Sequence, residues 1–489
     1  MSFTSAAFFL FLPVVFALHW AVRRKTWQNL VLLVASYVFY GWWDWRFCWL
    51  MLASSLIDYT AGSGIERTSA PRRRQAILAT AMSANLLLLG FFKYFNFFAD
   101  SLVIACSSVG VDLSVPALTI ILPVGISFYT FQTMSYTLDI YYGRFRPLRN
   151  LLDYLTFVSF FPHLVAGPIQ RAITLLPQFH ATRVFSLESA REGCRMMLWG
   201  LAKKMVVADN LGAIVNTAYA AADGASGAEL ALATVCFAFQ IYCDFSAYSE
   251  IAAGIARLFG IQLMRNFAYP YFSETVTEFW RRWHISLTTW LRDYVYIPLG
   301  GSRAGRLRNA RNLMCTALLS GLWHGAAWHF VAWGGLHGLY LTAERIVRTR
   351  GGQARFARRL EEIPGGEALL PGPKVALRMA WTFALVCAGW IFFRADSFHQ
   401  ALTICQRIAF GLIRPDFYPA LAAQVRAHVA VLGCLAGFVV VEWTRRRRWT
   451  PLAAGTAPLV VRWATYTAML WAILLFGTQR IADFIYFRF

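Results

Sequence analysis

The stretch Leu318–Leu341, LLSGLWHGAAWHFVAWGGLHGLYL, decides how the chain is read. From Asn312 to Ala343 there is no Asp, Glu, Lys or Arg, which by hydropathy is a membrane segment. Yet it holds three of the nine histidines, His324, His329 and His337. Titratable rings are costly at membrane depth, so several in one span imply that some carry chemistry. On a single helix, at about 100° per residue, His324 lies about 140° from both other rings. Spacings of five and eight are not the i, i+4 pairing that puts two ligands on one metal, so this segment alone predicts no metal site.

The rest of the chain agrees with a membrane reading. Of 489 residues, 58% are hydrophobic, 16% aromatic and only 15% charged, where a soluble protein carries about a quarter. Uncharged apolar runs of about 20 residues recur along the whole length. They predict an all-α polytopic membrane protein of about eleven transmembrane helices, with no separate soluble domain. The single membrane domain, 1–489, divides into N-terminal spans (1–150), a catalytic core with re-entrant segments (151–345) and C-terminal spans (346–489). Net charge is +21, but the basic residues sit mostly in short loops between apolar runs, as the positive-inside rule describes. No basic face interleaves with exposed aromatics, which argues against nucleic acid. Nine cysteines without a CxxC, mostly inside apolar runs, read as reduced and buried.

Charge clusters orient the first half. The apolar run Phe8–Trp20 is followed, not preceded, by Arg23, Arg24 and Lys25, the pattern of an uncleaved first span with its N-terminus outside. Trp27–Trp43 then runs outward, and Phe47–Ala61 returns to Arg67 and Arg72–Arg74. Gln75–Phe98 goes out, and Ile120–Tyr142 comes in to Arg144, Arg146 and Arg149. The middle is less regular. Leu151–Ile169 is broken by Pro162 and Pro168, Arg191–Ala222 reads as an amphipathic helix with Lys203, Lys204 and Asp209, and Leu230–Phe259 carries Asp244 and Glu250. Arg265–Arg311 is too charged to span and too rich in Trp and Tyr for an ordinary loop, which fits interfacial or re-entrant helices. A basic loop, Arg345–Lys374 with Arg355, Arg358 and Arg359, precedes the spans Val375–Phe393, Val425–Trp443 and Leu459–Phe476. No internal repeat is visible, which weakens transporter folds built on inverted repeats.

Three constellations stand out. His324 lies in Trp323-His324-Gly325 after Ser320-Gly321, and small residues on both sides let a backbone or a substrate approach closely. His284 follows Trp280, Arg281, Arg282 and Trp283, which suit an interfacial anchor. The polar residues after it, through Asp293, suit a cavity entering from the basic side. Arg303, Arg306, Arg308 and Arg311 either grip donor phosphates or report inside-positive topology. Asp244 and Glu250, in Tyr242–Glu250, either pair with a cation from another helix or line a water-filled path. Pro162-His163 with Gly167-Pro168 is a broken helix with another pore-lining candidate.

FWRRWHISLTTWLRDYVYIPLGG (279–301), LSGLWHG (319–325) and GGLHG (334–338) resemble the membrane-bound O-acyltransferase superfamily, and its bacterial alginate O-acetyltransferase branch most closely. LPVGISFYTFQTMSYTLDIYYG (122–143), FPHLVAGPIQR (161–171), YCDFSAYSEIAAGIARLFGI (242–261) and WIFFRAD (390–396) extend the resemblance over nearly the whole chain. It implies a ring of transmembrane helices around a thinned centre, with a tunnel joining the two faces. It places the family's essential histidine at His324 and a second, tunnel-lining one at His284. His337 matches a further histidine of the branch, whereas His329 matches none. Ser320, Trp323, Trp283, Asp244 and Asp293 become supporting or tunnel-lining residues, and Arg281, Arg282 and Arg303 candidates for the donor. The implied reaction moves an acetyl group from a cytoplasmic thioester, acetyl-CoA, to an exported polysaccharide such as alginate, with no bound cofactor or metal. His324 is then the general base, and His284 binds the oxyanion or positions the donor. The setting is a bacterial inner membrane, with membrane lipid, periplasmic or extracellular transfer proteins and the polymer as partners. Three other readings stay open: a transporter using Asp244, Glu250 and His163, an acyltransferase fed by a carrier-protein thioester, and a scaffold for a polysaccharide synthase.

Overall fold

The computed structural model describes all residues except 116–117, 304, 351–367, 450–451, 453–457, 478–483 and 486–489. Arg355, Arg358 and Arg359 of the expected basic loop lie outside the described residues. The regular elements of the described residues are all helical, without a strand, and the chain divides into two units. One comprises Met1–Cys194 with Ala252–Met264, the other Arg195–Ile251 with Arg265–Phe489.

In the first unit, apolar helices are tied together by small buried polar clusters. Asn85 Nδ2 donates to Asp58 Oδ2 at 2.7 Å, Ser54 Oγ donates to Asn85 Oδ1 at 2.7 Å, and the Thr137 hydroxyl also donates to Asp58. These residues come from Arg46–Glu66, Pro71–Leu89 and Ile126–Tyr141. Buried polar groups need such partners, because an unmatched one costs about 1–3 kcal/mol. Lys25, from the first basic cluster, reaches Asp153 at 3.0 Å. The expected Ile120–Tyr142 span starts only at Ile126, since Gly125 turns the chain at φ +78° against the Leu164 carbonyl. Leu151–Ile169 is broken as its prolines predict, into Leu151–Ser159 and Phe161–Leu164. His163 is buried there and donates from Nε2 to Gln132 Oε1 at 2.9 Å, because the Gln132 amide nitrogen is committed to the Phe157 carbonyl.

In the second unit the expected amphipathic helix over 191–222 is interrupted. A π-helical turn, Lys203–Ala208, interrupts it before Asp209–Ala220. That turn points both Lys203 and Lys204 inward, each 1% exposed. Pro270–Arg303 is a run of short helices too short to span, as expected from its charge, and Arg306–Arg311 opens the 19-residue helix Arg306–His324.

The stretch Leu318–Leu341 departs from the expected single segment. Asn312–Ala343 is not one helix but two, Arg306–His324 and Trp328–Arg350, packed antiparallel as a hairpin. The packing depends on glycine. A Cβ on Gly321 would stand 3.3 Å from Gly334 Cα and run into the Phe330 carbonyl, and one on Gly338 would stand 2.8 Å from Met314 Sδ. His324 and the pair His329 and His337 therefore lie on different helices, and the angular argument from one helix no longer relates them.

Against about eleven expected spans, four helices among the described residues are long and apolar enough to cross a bilayer: Pro71–Ser108, Gly227–Leu258, Pro373–Arg394 and Leu459–Phe476. Phe417–Ala427 with Val429–Arg445, bent by 85°, makes a fifth if taken together. Others of suitable length carry polar residues turned inward. Lys25–Asp44, for instance, buries Gln28, Asn29 and Ser36.

Candidate active site

The site lies in the second unit, where two turns bring two histidines together. His324 ends its helix because Gly325 leaves helical conformation, with the Phe330 ring occupying the space a Cβ would need. His284 sits between Val276–Arg282 and Ile285–Leu291 in a left-handed conformation, φ +44°. For a non-glycine residue that costs about 1–2 kcal/mol. The turn is clamped from the preceding segment. Ala268 N donates to the Arg282 carbonyl and Ile285 N to the Asn266 carbonyl, both at 2.9 Å. The Arg282 guanidinium adds a bond to Glu278 at 2.9 Å and one to the Ala268 carbonyl at 3.4 Å.

The two imidazole centroids are 6.3 Å apart. His284 is fully buried, with Phe245 edge-on at 4.7 Å and Trp323 at 5.8 Å. It lies between the spanning segments, and burial pushes its imidazole down to about 3, so the ring is neutral. His324 is ringed by Trp323 at 5.0 Å, Trp333 at 5.1 Å and Phe393 at 5.2 Å. Trp283 is fully buried between Phe267, Phe279 and Trp390.

A cavity of about 380 Å³ opens on the other side of Trp333. Ser320, one turn before His324, lines it with Trp280, Trp333 and His337, and Arg281, Arg292 and Arg345 supply its charge. Neither His284 nor His324 lines it; Trp333, which touches both cavity and His324, stands between. Trp280 Nε1 donates to His337 Nδ1 at 3.2 Å, which leaves the His337 proton on Nε2. That nitrogen faces Gly389, where a Cβ would stand 2.7 Å away. Gly389→Ala is therefore expected to push His337 off Trp280, costing about 1–3 kcal/mol of stability by overpacking. Gly433→Ala, with nothing within 4 Å, is the control. Melting temperatures of the two variants, measured side by side, check this.

The other expected site residues fall in varied places. Arg281 lines the cavity, but Arg282 is 2% exposed and committed to Glu278, and Arg303 is exposed and off the cavity lining. Neither Arg282 nor Arg303 stands on the cavity lining. Arg292 and Arg345 line the cavity with Arg281, and spacing gave no sign of them because they lie on separate elements. Asp293 is half-buried and pairs with Arg292 at 2.7 Å. Asp244 meets Lys204 at 2.6 Å and accepts from Ile485 N at 2.6 Å, in a buried ionic cluster. His329 donates from Nδ1 to the Phe392 carbonyl at 3.0 Å, as a structural histidine does. Trp333 and Asn266 were not singled out in the sequence, because an aromatic in an apolar run and an asparagine in a loop carry no pattern of their own.

Comparison with known proteins adds a second line of support. The membrane-bound O-acyltransferase family matches residues 146–369. The chain is similar to a probable alginate O-acetylase of Pseudomonas putida, 36% identical over the full length of both chains. It is also similar to one of Azotobacter vinelandii, 41% identical over 82% of this chain and 76% of the relative. A peptidoglycan O-acetyltransferase of Helicobacter pylori is 33% identical over 81% of this chain and 77% of its own.

Proposed function

The chain belongs to the membrane-bound O-acyltransferase family and is a multi-pass membrane O-acyltransferase, and from that premise we propose that it transfers acetyl groups from cytoplasmic acetyl-CoA toward an exported polysaccharide such as alginate. The observation that carries the proposal is the pairing of two buried histidines, one aromatic layer from an arginine-lined cavity. A volume of about 380 Å³ lies within the range of small-ligand sites, about 300–1,000 Å³. Guanidinium groups suit phosphate, which they bind through paired hydrogen bonds, so Arg281, Arg292 and Arg345 hold the charged part of the donor. The thioester reaches inward past Ser320 and Trp333 toward His324.

His324 takes the proton of an attacking hydroxyl while that oxygen forms the new bond to the acetyl carbon. The C–S bond then breaks, and the proton passes to the departing sulfur. The net change is one thioester consumed, one ester and one thiol made. A transport role would need mobile intramembrane charge, whereas Asp244 and Glu250 are held by Lys204 and Lys203 at 2.6 and 2.8 Å. Lipid surrounds the protein in the bacterial inner membrane, with its N-terminus outside, and periplasmic or extracellular proteins complete delivery to the polymer.

Purified protein in liposomes is expected to consume labelled acetyl-CoA and label a polysaccharide or relay acceptor. Labelling only from an acyl-carrier thioester would replace the donor, and no transfer from either would overturn the proposal. Arg345→Ala should raise KM for the donor about tenfold or more with kcat unchanged, since a hydrogen bond to a charged group is worth about 1.5–3 kcal/mol. Initial rates against donor concentration check it.

A further inference from the structure

Asn266 precedes His284 in the chain but stands beside it in the fold. Its Oδ1 accepts the Ser286 backbone N–H at 3.2 Å and the Ser286 hydroxyl at 2.9 Å. The same Oδ1 lies 3.3 Å from His284 Nδ1. A backbone N–H can only donate, so the Asn266 atom it meets is oxygen. The amide nitrogen, on the other side, donates to Ser249 Oγ at 3.2 Å. An oxygen acceptor against Nδ1 requires the proton to be there. Ser286 Oγ, 3.4 Å from the same Nδ1, has its own hydrogen committed to Asn266 and also faces the ring as an acceptor. Neutral His284 is thus the Nδ1–H tautomer, with the lone pair on Nε2. The opposite tautomer would set lone pairs against each other in a fully buried site, where an unmet polar group costs most.

We propose that Asn266 is a positioning residue that holds His284 as a proton acceptor at Nε2, so that His284 shares the proton His324 removes and does not donate to the oxyanion. This rests on the acyl-transfer reading above. The left-handed backbone at His284 supports it: the clamp that holds this costly turn runs through the Asn266 carbonyl, so one residue fixes both the backbone and the ring. The groups facing the ring are Phe245, Phe267, Trp323 and the titratable His324, with Asn266 and Ser286 at its Nδ1 edge. The proton sequence balances: it leaves the hydroxyl, is held on imidazole, and ends on the sulfur when the C–S bond breaks.

Asn266→Ala is expected to lower kcat about 10–100-fold, as loss of the partners that orient functional histidines does elsewhere, with little change in KM. Asn266→Asp places a carboxylate against Nδ1, which favours imidazolium and raises the pKa of His284. The acid limb of the pH–rate profile then moves to higher pH, which a merely structural role would not produce. Because Asn266 also ties Ser249 and Ser286, a third measurement stands independent of folding and turnover. Nitrogen NMR of ¹⁵N-histidine-labelled wild-type protein in detergent, with the His284 signal assigned by His284→Gln, should show the Nδ1–H tautomer. An Nε2–H signature, or wild-type kcat and pH profile in both Asn266 variants, overturns the proposal. Since the NMR readout needs no substrate, absence of acetyl transfer in the wild type would sink the acyl-transfer reading separately.

Discussion

Replacing His324 by alanine is expected to lower acetyl transfer about 10²–10⁴-fold, the usual worth of a positioned general base, while the protein still accumulates in the membrane. His324 is 3% exposed at the very end of its helix, against the rings of Trp323, Trp333 and Phe393. Truncation leaves a space there, so some stability is lost with the chemistry. The two effects separate with His324→Gln, which fills more of the space but cannot act as a base near neutral pH. Both variants should be inactive per folded molecule, and the glutamine variant should melt closer to the wild type. His329→Ala supplies the contrast. Its ring bonds the Phe392 carbonyl, so its loss should reduce stability by about 1 kcal/mol and leave specific activity near the wild-type value. Transfer from labelled acetyl-CoA, normalised to folded protein, decides. Retained transfer in His324→Ala would remove this ring from the chemistry.

The sequence already contained the membrane class, the family and the two histidine blocks, and each was legible for a physical reason. Long uncharged runs with basic loops leave few other architectures, and the blocks around His284 and His324 are long. The hairpin was not legible. Asn312–Ala343 has neither a charge nor a proline to mark a turn, and the break at Gly325–Ala327 is set by glycine packing between the two helices. A hydropathy window sees the sum of two apolar helices and reads one. Lys203 and Lys204 misled in the opposite way. In sequence they mark the polar side of an amphipathic helix, yet the π-helical turn carries both to buried carboxylates. Arg281 and Arg282 are adjacent and alike in sequence, but one helical step, about 100°, sends one to the cavity and the other to Glu278. Composition cannot make that distinction, since it depends on which face of a seven-residue helix meets the neighbours.

Lys204→Ala is expected to cost about 3–5 kcal/mol, the usual penalty for removing one partner of a buried ion pair, and so to sharply reduce folded protein in the membrane. Lys204 Nζ lies 2.6 Å from Asp244 and 2.9 Å from Asp209, with side chains that are almost wholly buried. Next to it, Lys203 serves Glu250 at 2.8 Å and Glu442 at 3.8 Å, and Tyr242 donates to both Glu442 oxygens at 3.0 and 2.9 Å. Two ammonium groups thus face four carboxyl groups, with Arg265 adding positive charge toward Glu250 and Glu442. Asp244 and Asp209 would then confront each other in low dielectric without their shared counter-charge, where the loss of the pair far exceeds its worth on a surface. Because the cluster is buried, added salt should not rescue the variant, as it would a strained surface charge. What should rescue it is removal of the stranded charge. Lys204→Met combined with Asp209→Asn and Asp244→Asn replaces ions by neutral groups of similar shape, an exchange that is often neutral or better. Folded yield and melting temperature in detergent should therefore fall in the single variant and recover in the triple. Specific activity per folded molecule should stay near the wild-type value in the triple, because these charges pair with one another and none of them lines the cavity. A single variant as stable as the wild type would show that the cluster carries little of the fold. A stable but inactive triple variant would instead tie these charges to catalysis.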